Sequence, residues 1–114
     1  MDDMNSNATT PSSNVTLDSV IDVLRNNVRR GLLLTLAKGD KDVSTLANEI
    51  NAHISVISHN LRALRELGVV EVRRDARRRI YRLSPMVNTT QDGEMMTLSI
   101  DADGGSRVSL TVPR

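Results

Sequence analysis

Arginine is the residue that stands out by position. Between Arg62 and Arg82 the chain places eight arginines against Glu66, Glu71 and Asp75, a local balance of +5. Five of them, Arg73, Arg74, Arg77, Arg78 and Arg79, fall within seven residues. Like charges crowded in this way repel one another, so folding stability gives no reason for them. Neutralising a polyanion does, because each guanidinium can release a counterion and form charge-assisted hydrogen bonds. Just upstream, Ile54, Ser55, Ser58, His59 and Arg62 recur on one side of a helical repeat, with His53 at its start and no acid until Glu66. Hydroxyls, imidazoles and one guanidinium can read hydrogen-bonding edges, and Ile54 can meet an apolar group. This is the chemistry of recognition. The sequence holds no nucleophile–base pair, no glycine-rich phosphate loop and no close carboxylate pair, so no enzymatic activity is expected.

The remaining composition bounds the answer. With 114 residues the chain suffices for one good core. Tyr81 is its one aromatic residue, so that core must be aliphatic. Cysteine is absent, which excludes disulfides and thiolate metal sites and agrees with a reducing, cytoplasmic setting. Two histidines, His53 and His59, are too few ligands for a metal without help from carboxylates, and no metal or cofactor is expected. No apolar run approaches the roughly 20 residues that span a bilayer. The N-terminus has neither a basic start nor an apolar stretch, so it is not read as a secretory leader. The overall charge is only +1, yet residues 1–24 carry four aspartates and no base, and the tail after Pro85 carries four acids and two arginines. The positive charge is therefore local, which suits one anionic partner on one surface.

Elements must hold these residues in place. Residues 1–15 are rich in Asn, Ser and Thr and read as a disordered tail. Leu17, Val20, Ile21 and Leu24 share one face and predict a helix over about 17–25, capped by Thr16 or Asp18. Leu32, Leu33 and Leu36 predict a second over about 28–38, with Asn27 as its cap. A short third helix, about 43–50, follows Asp42. After the connection Asn51-Ala52-His53 a fourth spans about 54–67, burying Ile57, Leu61 and Leu64 and ending at Gly68. Val69 to Val72 and Arg79 to Leu83, joined by a charged turn, predict a basic β-hairpin. Residues 86–94 read as a linker. Met96, Leu98 and Ile100, then Val108, Leu110 and Val112, alternate with polar residues and predict a second hairpin over 95–114. Its one-sided apolar face needs a cover.

Two short helices, a tight connection, a longer helix and a basic hairpin form the layout of a winged helix-turn-helix, here over residues 16–85. The expected class is mainly α with a small β component (α+β), with an additional C-terminal β-hairpin. In this layout the fourth helix fits the major groove of B-DNA, and the arginine hairpin, the wing, lies along the backbone or minor groove. The DNA-binding set is therefore His53, Ile54, Ser55, Ser58, His59 and Arg62 on the helix with Arg73, Arg74, Arg77, Arg78 and Arg79 on the wing.

The run Leu46-Ala47, then Ser58-His59-Asn60-Leu61-Arg62-Ala63-Leu64-Arg65-Glu66-Leu67-Gly68-Val69-Val70, then Arg79-Ile80-Tyr81-Arg82-Leu83-Ser84-Pro85, resembles the ArsR (SmtB/ArsR) family of bacterial repressors. The resemblance covers about residues 20–85. It implies a homodimer that binds a palindromic operator in double-stranded DNA and releases it when an inducer binds. The family's arsenic-sensing cysteines would fall at Asp42 and Ser44, so that site is absent. Asn60 stands where the family commonly has histidine. Most members end in a helix that pairs with the first helix across the dimer, and some bind zinc there. This chain shows a strand-like hairpin instead, and the zinc site has no support.

The expected dimerisation set is accordingly Leu17, Val20, Ile21 and Leu24 with Met96, Leu98, Ile100, Val108, Leu110 and Val112. The apolar hairpin also motivates a second reading: a protein-interaction or dimerisation module of winged-helix fold that does not bind DNA. A metal-responsive sensor built on histidines and carboxylates is a third.

Overall fold

The computed structural model describes residues 15–113. The tail expected over residues 1–15 therefore lies outside the described residues, apart from Val15. That residue is buried, and its carbonyl accepts a hydrogen bond from the Asp103 N–H at 2.8 Å.

Helix α1, Leu17–Arg25, begins in a reciprocal cap: Thr16 Oγ1 accepts from the Ser19 N–H at 3.1 Å, and Ser19 Oγ accepts from the Thr16 N–H at 2.9 Å. Asn26 closes α1 and opens α2, Asn27–Leu36, its Oδ1 accepting from the Arg29 N–H at 3.0 Å. The cap thus sits one residue before the Asn27 expected from sequence. Strand β1, Lys41–Asp42, leads directly into α3, Val43–Ile50, where the Asp42 carboxylate accepts from the Thr45 N–H at 2.8 Å. Asn51, in the left-handed region at φ 62°, ends α3 and turns the chain into α4, Ile54–Leu67. Gly68 ends α4 at φ 94°, where a side chain would be strained, and its N–H reaches the Leu64 and Arg65 carbonyls.

Two antiparallel sheets follow. Strands β2, Val70–Asp75, and β3, Arg78–Leu83, form the wing, and β1 adds to the outer side of β3, giving the order β1-β3-β2. The segment Arg73 to Arg78, expected as a turn, is mostly strand. Only Ala76 and Arg77 lie between the paired ends Asp75 and Arg78, with Ala76 at φ 58°. The second sheet is β4, Val87–Asp92, β5, Met95–Asp101, and β6, Arg107–Pro113, in that order. The expected C-terminal hairpin is β5–β6. The expected linker, 86–94, instead holds β4, which pairs over its whole length with β5, from Val87–Ile100 to Asp92–Met95.

One aliphatic core joins both parts. Leu32, Leu33, Leu46, Ile57, Leu61 and Leu64 pack with Val20 of α1 and with Leu98 and Ile100 of β5, all fully buried. The cover that the C-terminal apolar face needs is supplied by the chain itself, with α1 packing on β6. This corrects part of the expected dimerisation set. Val20, Met96, Leu98 and Ile100 are interior residues of one protomer, because intramolecular packing already removes them from water. Leu24, Val108, Leu110 and Val112 are half-buried, whereas Leu17 and Ile21 remain 42% and 43% exposed.

Candidate nucleic-acid interface

Helix α4 has two sharply different sides. Ile57, Leu61 and Leu64 anchor it in the core, and Asn60 is buried beside them. Asn60 Nδ2 donates to the Val56 carbonyl at 2.9 Å, while its Oδ1 accepts from Arg29 Nε at 3.0 Å. The helix is thereby tied to α2 by a polar contact as well as by packing. On the other side Ile54, Ser55, Ser58, His59 and Arg62 are all exposed, as is His53 at the N-cap, whose side chain makes no capping bond. The exposed side also carries Val56, an apolar residue outside the expected set.

The wing stands next to this side. Ser58, Arg62 and Arg65 of α4 share one open cleft of about 620 Å³ with Arg79 and Tyr81 of β3 and Val43 of α3. A smaller hollow of about 190 Å³ continues past Arg65 to Val72, Arg73, Arg74 and Arg79. Ser58, Arg62 and Arg65 of the helix and the arginine hairpin therefore border one continuous surface. His53, Ile54, Ser55 and His59 lie on the same helix outside the cleft lining. Arg77 and Arg78 line a separate depression with Asp42, Val43, Ser44 and Arg79.

Arg65 and Tyr81 are cleft residues absent from the expected set. Arg65 was legible: Ser58, Arg62 and Arg65 follow the i, i+4, i+7 spacing of one helix face. Tyr81 is buried in the wing and reaches the cleft only because β3 lies against α3, which no local pattern reveals.

The arginines divide into two groups. Arg73 Nη1 meets Asp40 Oδ2 at 3.5 Å, Arg78 Nη1 meets Asp42 Oδ2 at 3.3 Å, and Arg82 Nη2 meets Glu71 Oε1 at 3.1 Å. Arg62 makes a 3.8 Å pair with Glu66, both exposed, a geometry that adds little stability. Arg73 and Arg78 thus brace the wing against the segment that starts α3, so part of the arginine cluster serves the fold. Hydrogen bonds from Thr45, its side chain first and then its backbone, hold the Asp42 carboxyl below its ordinary 3.8, and Arg78 deepens the effect. Asp42 therefore stays ionised as both cap and brace. Among the described residues, Arg65, Arg74, Arg77 and Arg79 have no acidic partner within salt-bridge distance. Arg74 and Arg79 are moreover directly opposite each other across the β2–β3 ladder. Like charges in that position destabilise a hairpin.

Among the described residues no three His, Asp or Glu side chains come together in a group able to hold a metal ion, and no helix is long and apolar enough to cross a membrane. Asp42, where the resemblance would place one of the arsenic-sensing cysteines, is a helix cap and an ion-pair partner.

Residues 26–72, from the start of α2 into β2, match the family model described as bacterial regulatory protein, arsR family. Among curated proteins, the biofilm growth-associated repressor of Xylella fastidiosa is 35% identical over 66 residues, covering 58% of each chain. Among solved structures, the transcriptional repressor BigR from Xylella fastidiosa is 31% identical with a TM-score of 0.58, covering 71% of this chain and 82% of that one. The homodimeric winged helix-turn-helix DNA-binding domain Mb0332 from Mycobacterium bovis, described as a possible ArsR-family transcriptional regulator, is 28% identical with a TM-score of 0.59. It is covered over 76% of its length by 74% of this chain. The chain spans between 27% and 58% of the length of the curated relatives it matches.

Proposed function

Because this chain belongs to the arsR family of bacterial regulatory proteins, we propose that it is a transcriptional repressor. In this reading it binds a palindromic operator in double-stranded DNA as a homodimer and has no enzymatic activity. Helix α4 enters the major groove, where Ser55, Ser58 and Arg62 meet base edges or nearby phosphates and Ile54 meets a thymine methyl. His53 and His59 add polar contacts at the same face. Arg65, Arg74, Arg77 and Arg79 neutralise phosphates, and Arg73 and Arg78 contribute while bracing the wing. The single observation that carries this reading is the opposition of Arg74 and Arg79 beside Arg65, without acidic partners, on the surface that α4 shares with the wing. Folding alone disfavours such a grouping, and a polyanion compensates it. The solved homodimer from Mycobacterium bovis supports two-fold assembly, which matches a palindrome by symmetry.

Fluorescence anisotropy with duplexes tiled across the DNA upstream of its own reading frame tests the proposal. One duplex should bind at least a thousandfold tighter than random sequence, with an affinity that falls steeply as salt rises. Equal, weak binding to every duplex at low salt would refute it.

A further inference from the structure

The C-terminal sheet has two unlike edges. Strand β4 exposes Asn88, Thr89, Thr90, Gln91 and Asp92, a polar margin of the kind that discourages pairing. Strand β6 has no such guard between its ends. From Val108 to Val112 it carries no charge, proline or bulge, and β5 is its one strand partner among the described residues. Its inner-face residues Val108, Leu110 and Val112 are only half-buried, whereas their β5 counterparts Ile100, Leu98 and Met96 are buried. The helix that packs on β6, α1, keeps Leu17 and Ile21 exposed.

The ladder shows which main-chain groups of β6 turn away from β5. The Ala102 N–H donates to the Ser106 carbonyl at 2.8 Å across the end of the β5–β6 hairpin. Hydrogen-bonded pairs alternate along an antiparallel ladder. The bonded pairs are therefore Ile100–Val108, Leu98–Leu110 and Met96–Val112, and Arg107, Ser109 and Thr111 turn their N–H and C=O groups outward. Pro113 belongs to the outward set, so its missing N–H costs this ladder nothing.

The sequence of β6 reads alike from both directions about Leu110: serine and threonine flank it, and valines flank those. We infer that β6 is a self-pairing edge, and that two copies of this chain join their C-terminal sheets there into one continuous antiparallel sheet with its two-fold axis at Leu110. This rests on the homodimer reading above and specifies how the dimer is built. In that register Ser109 faces Thr111 of the partner subunit, and each outward N–H of Arg107, Ser109 and Thr111 meets an outward C=O, while the Arg107 carbonyl, opposite a proline, stays open to water at the end of the ladder. Val108 faces Val112 of the partner subunit. The one charge on the strand, Arg107, faces Pro113 of the partner subunit and not another cation. It is also neutralised within its own chain by Asp101 at 2.6 Å. The apolar residues of both inner faces then run on into each other, and the exposed residues of α1 flank them.

The absence of native cysteine makes the register measurable. Leu110 would face its own copy at a non-hydrogen-bonded pair, with Cα atoms about 4.5 Å apart, inside the range of a disulfide. Val108 would lie about 13 Å from its own copy, four residues along the strand, which is out of range. The full chain should run as a dimer by size-exclusion chromatography with light scattering. L110C should form a covalent dimer under mild oxidation, V108C and V112C should not do so alone, and a mixture of V108C with V112C should form the mixed dimer. A dimer whose L110C variant fails to cross-link, or whose V108C variant cross-links as readily, overturns this interface while leaving the homodimer reading intact. A chain that stays monomeric at high micromolar concentration, alone and on DNA, overturns both.

Discussion

Arg29 Nε donates to Asn60 Oδ1 at 3.0 Å, joining α2 to the buried side of α4 across 31 residues of sequence. The Asn60 amide is used at both ends, since its Nδ2 reaches the Val56 carbonyl. Arg29 is itself half-buried and, among the described residues, has one further ionic contact, Asp22 at 3.8 Å on α1. Three helices therefore meet at one guanidinium. Replacing Asn60 by Leu takes the acceptor from a half-buried charged donor, and the expected loss is about 1.5–3 kcal/mol in urea unfolding. Adding Arg29→Met should recover more than half of that loss, because both polar partners are then gone. Purely additive losses would show that the contact is incidental.

Arg74 and Arg79 should separate stability from binding. Either one changed to alanine relieves a like-charge pair, so stability should hold or rise slightly, by a few tenths of a kcal/mol, and the melting temperature should not fall. DNA affinity should nevertheless fall for every sequence, with the salt slope reduced by about 1 for each phosphate that is no longer neutralised. Arg78→Ala should lower the melting temperature as well, since it also loses the shielded Asp42, whereas the exposed Arg73–Asp40 pair should add little. Ser55→Ala or Arg62→Ala should instead change which operator bases are preferred. Measuring melts and anisotropy titrations on the same set separates these outcomes, and wing variants that altered base preference would reverse the assigned roles.

Asp42 gives the acid limb of the stability curve a definite sign. Its carboxyl is held below its ordinary value of 3.8 by Thr45 and then Arg78, so its folded form favours the charged state. That contribution is complete above the ordinary value and disappears as pH falls through the lowered one. Asp42→Asn should therefore melt lower than the parent chain at pH 7, and the difference should shrink between about pH 4 and pH 2. A difference that stays constant to pH 2 would remove the carboxylate from the explanation.

Leu98 lies outside the segment that matches the family model, yet it is fully buried in the shared core. Leu98→Ala should cost about 2–5 kcal/mol, as much as Leu61→Ala in α4. Deleting residues 93–114 should consequently abolish cooperative melting of the whole chain. A truncated chain that folds and binds DNA would show that the C-terminal sheet is an appendage.

Much of this was legible because the signals were local. Thr16, Asp42 and Gly68 mark helix ends by side-chain chemistry or positive φ, and α1, α3 and α4 begin and end where the sequence places them. The exposed stripe on α4 follows from its 3.6-residue period. What escaped depends on partners distant in sequence. Strand β4 has one buried apolar residue, Val87, and becomes a strand only through pairing with β5. The bracing of Arg73 and Arg78 spans 33 and 36 residues. Alternation identified the apolar face of β5, but a period of two is the same whether the cover is a partner or the chain's own helices.

The two-residue strand β1 looks minor, but it ties the start of α3 to the wing. Lys41 and Asp42 pair with Tyr81 and Ile80, so the backbone that launches α3 is stitched to the wing, and the ion pairs at Asp40 and Asp42 reinforce the seam. The start of α3 and the wing are thereby joined by both backbone pairing and ion pairs. In the proposed dimer, control over grip would pass to the gap between two such units, as with calipers whose tips are rigid and whose only adjustment lies at the pivot.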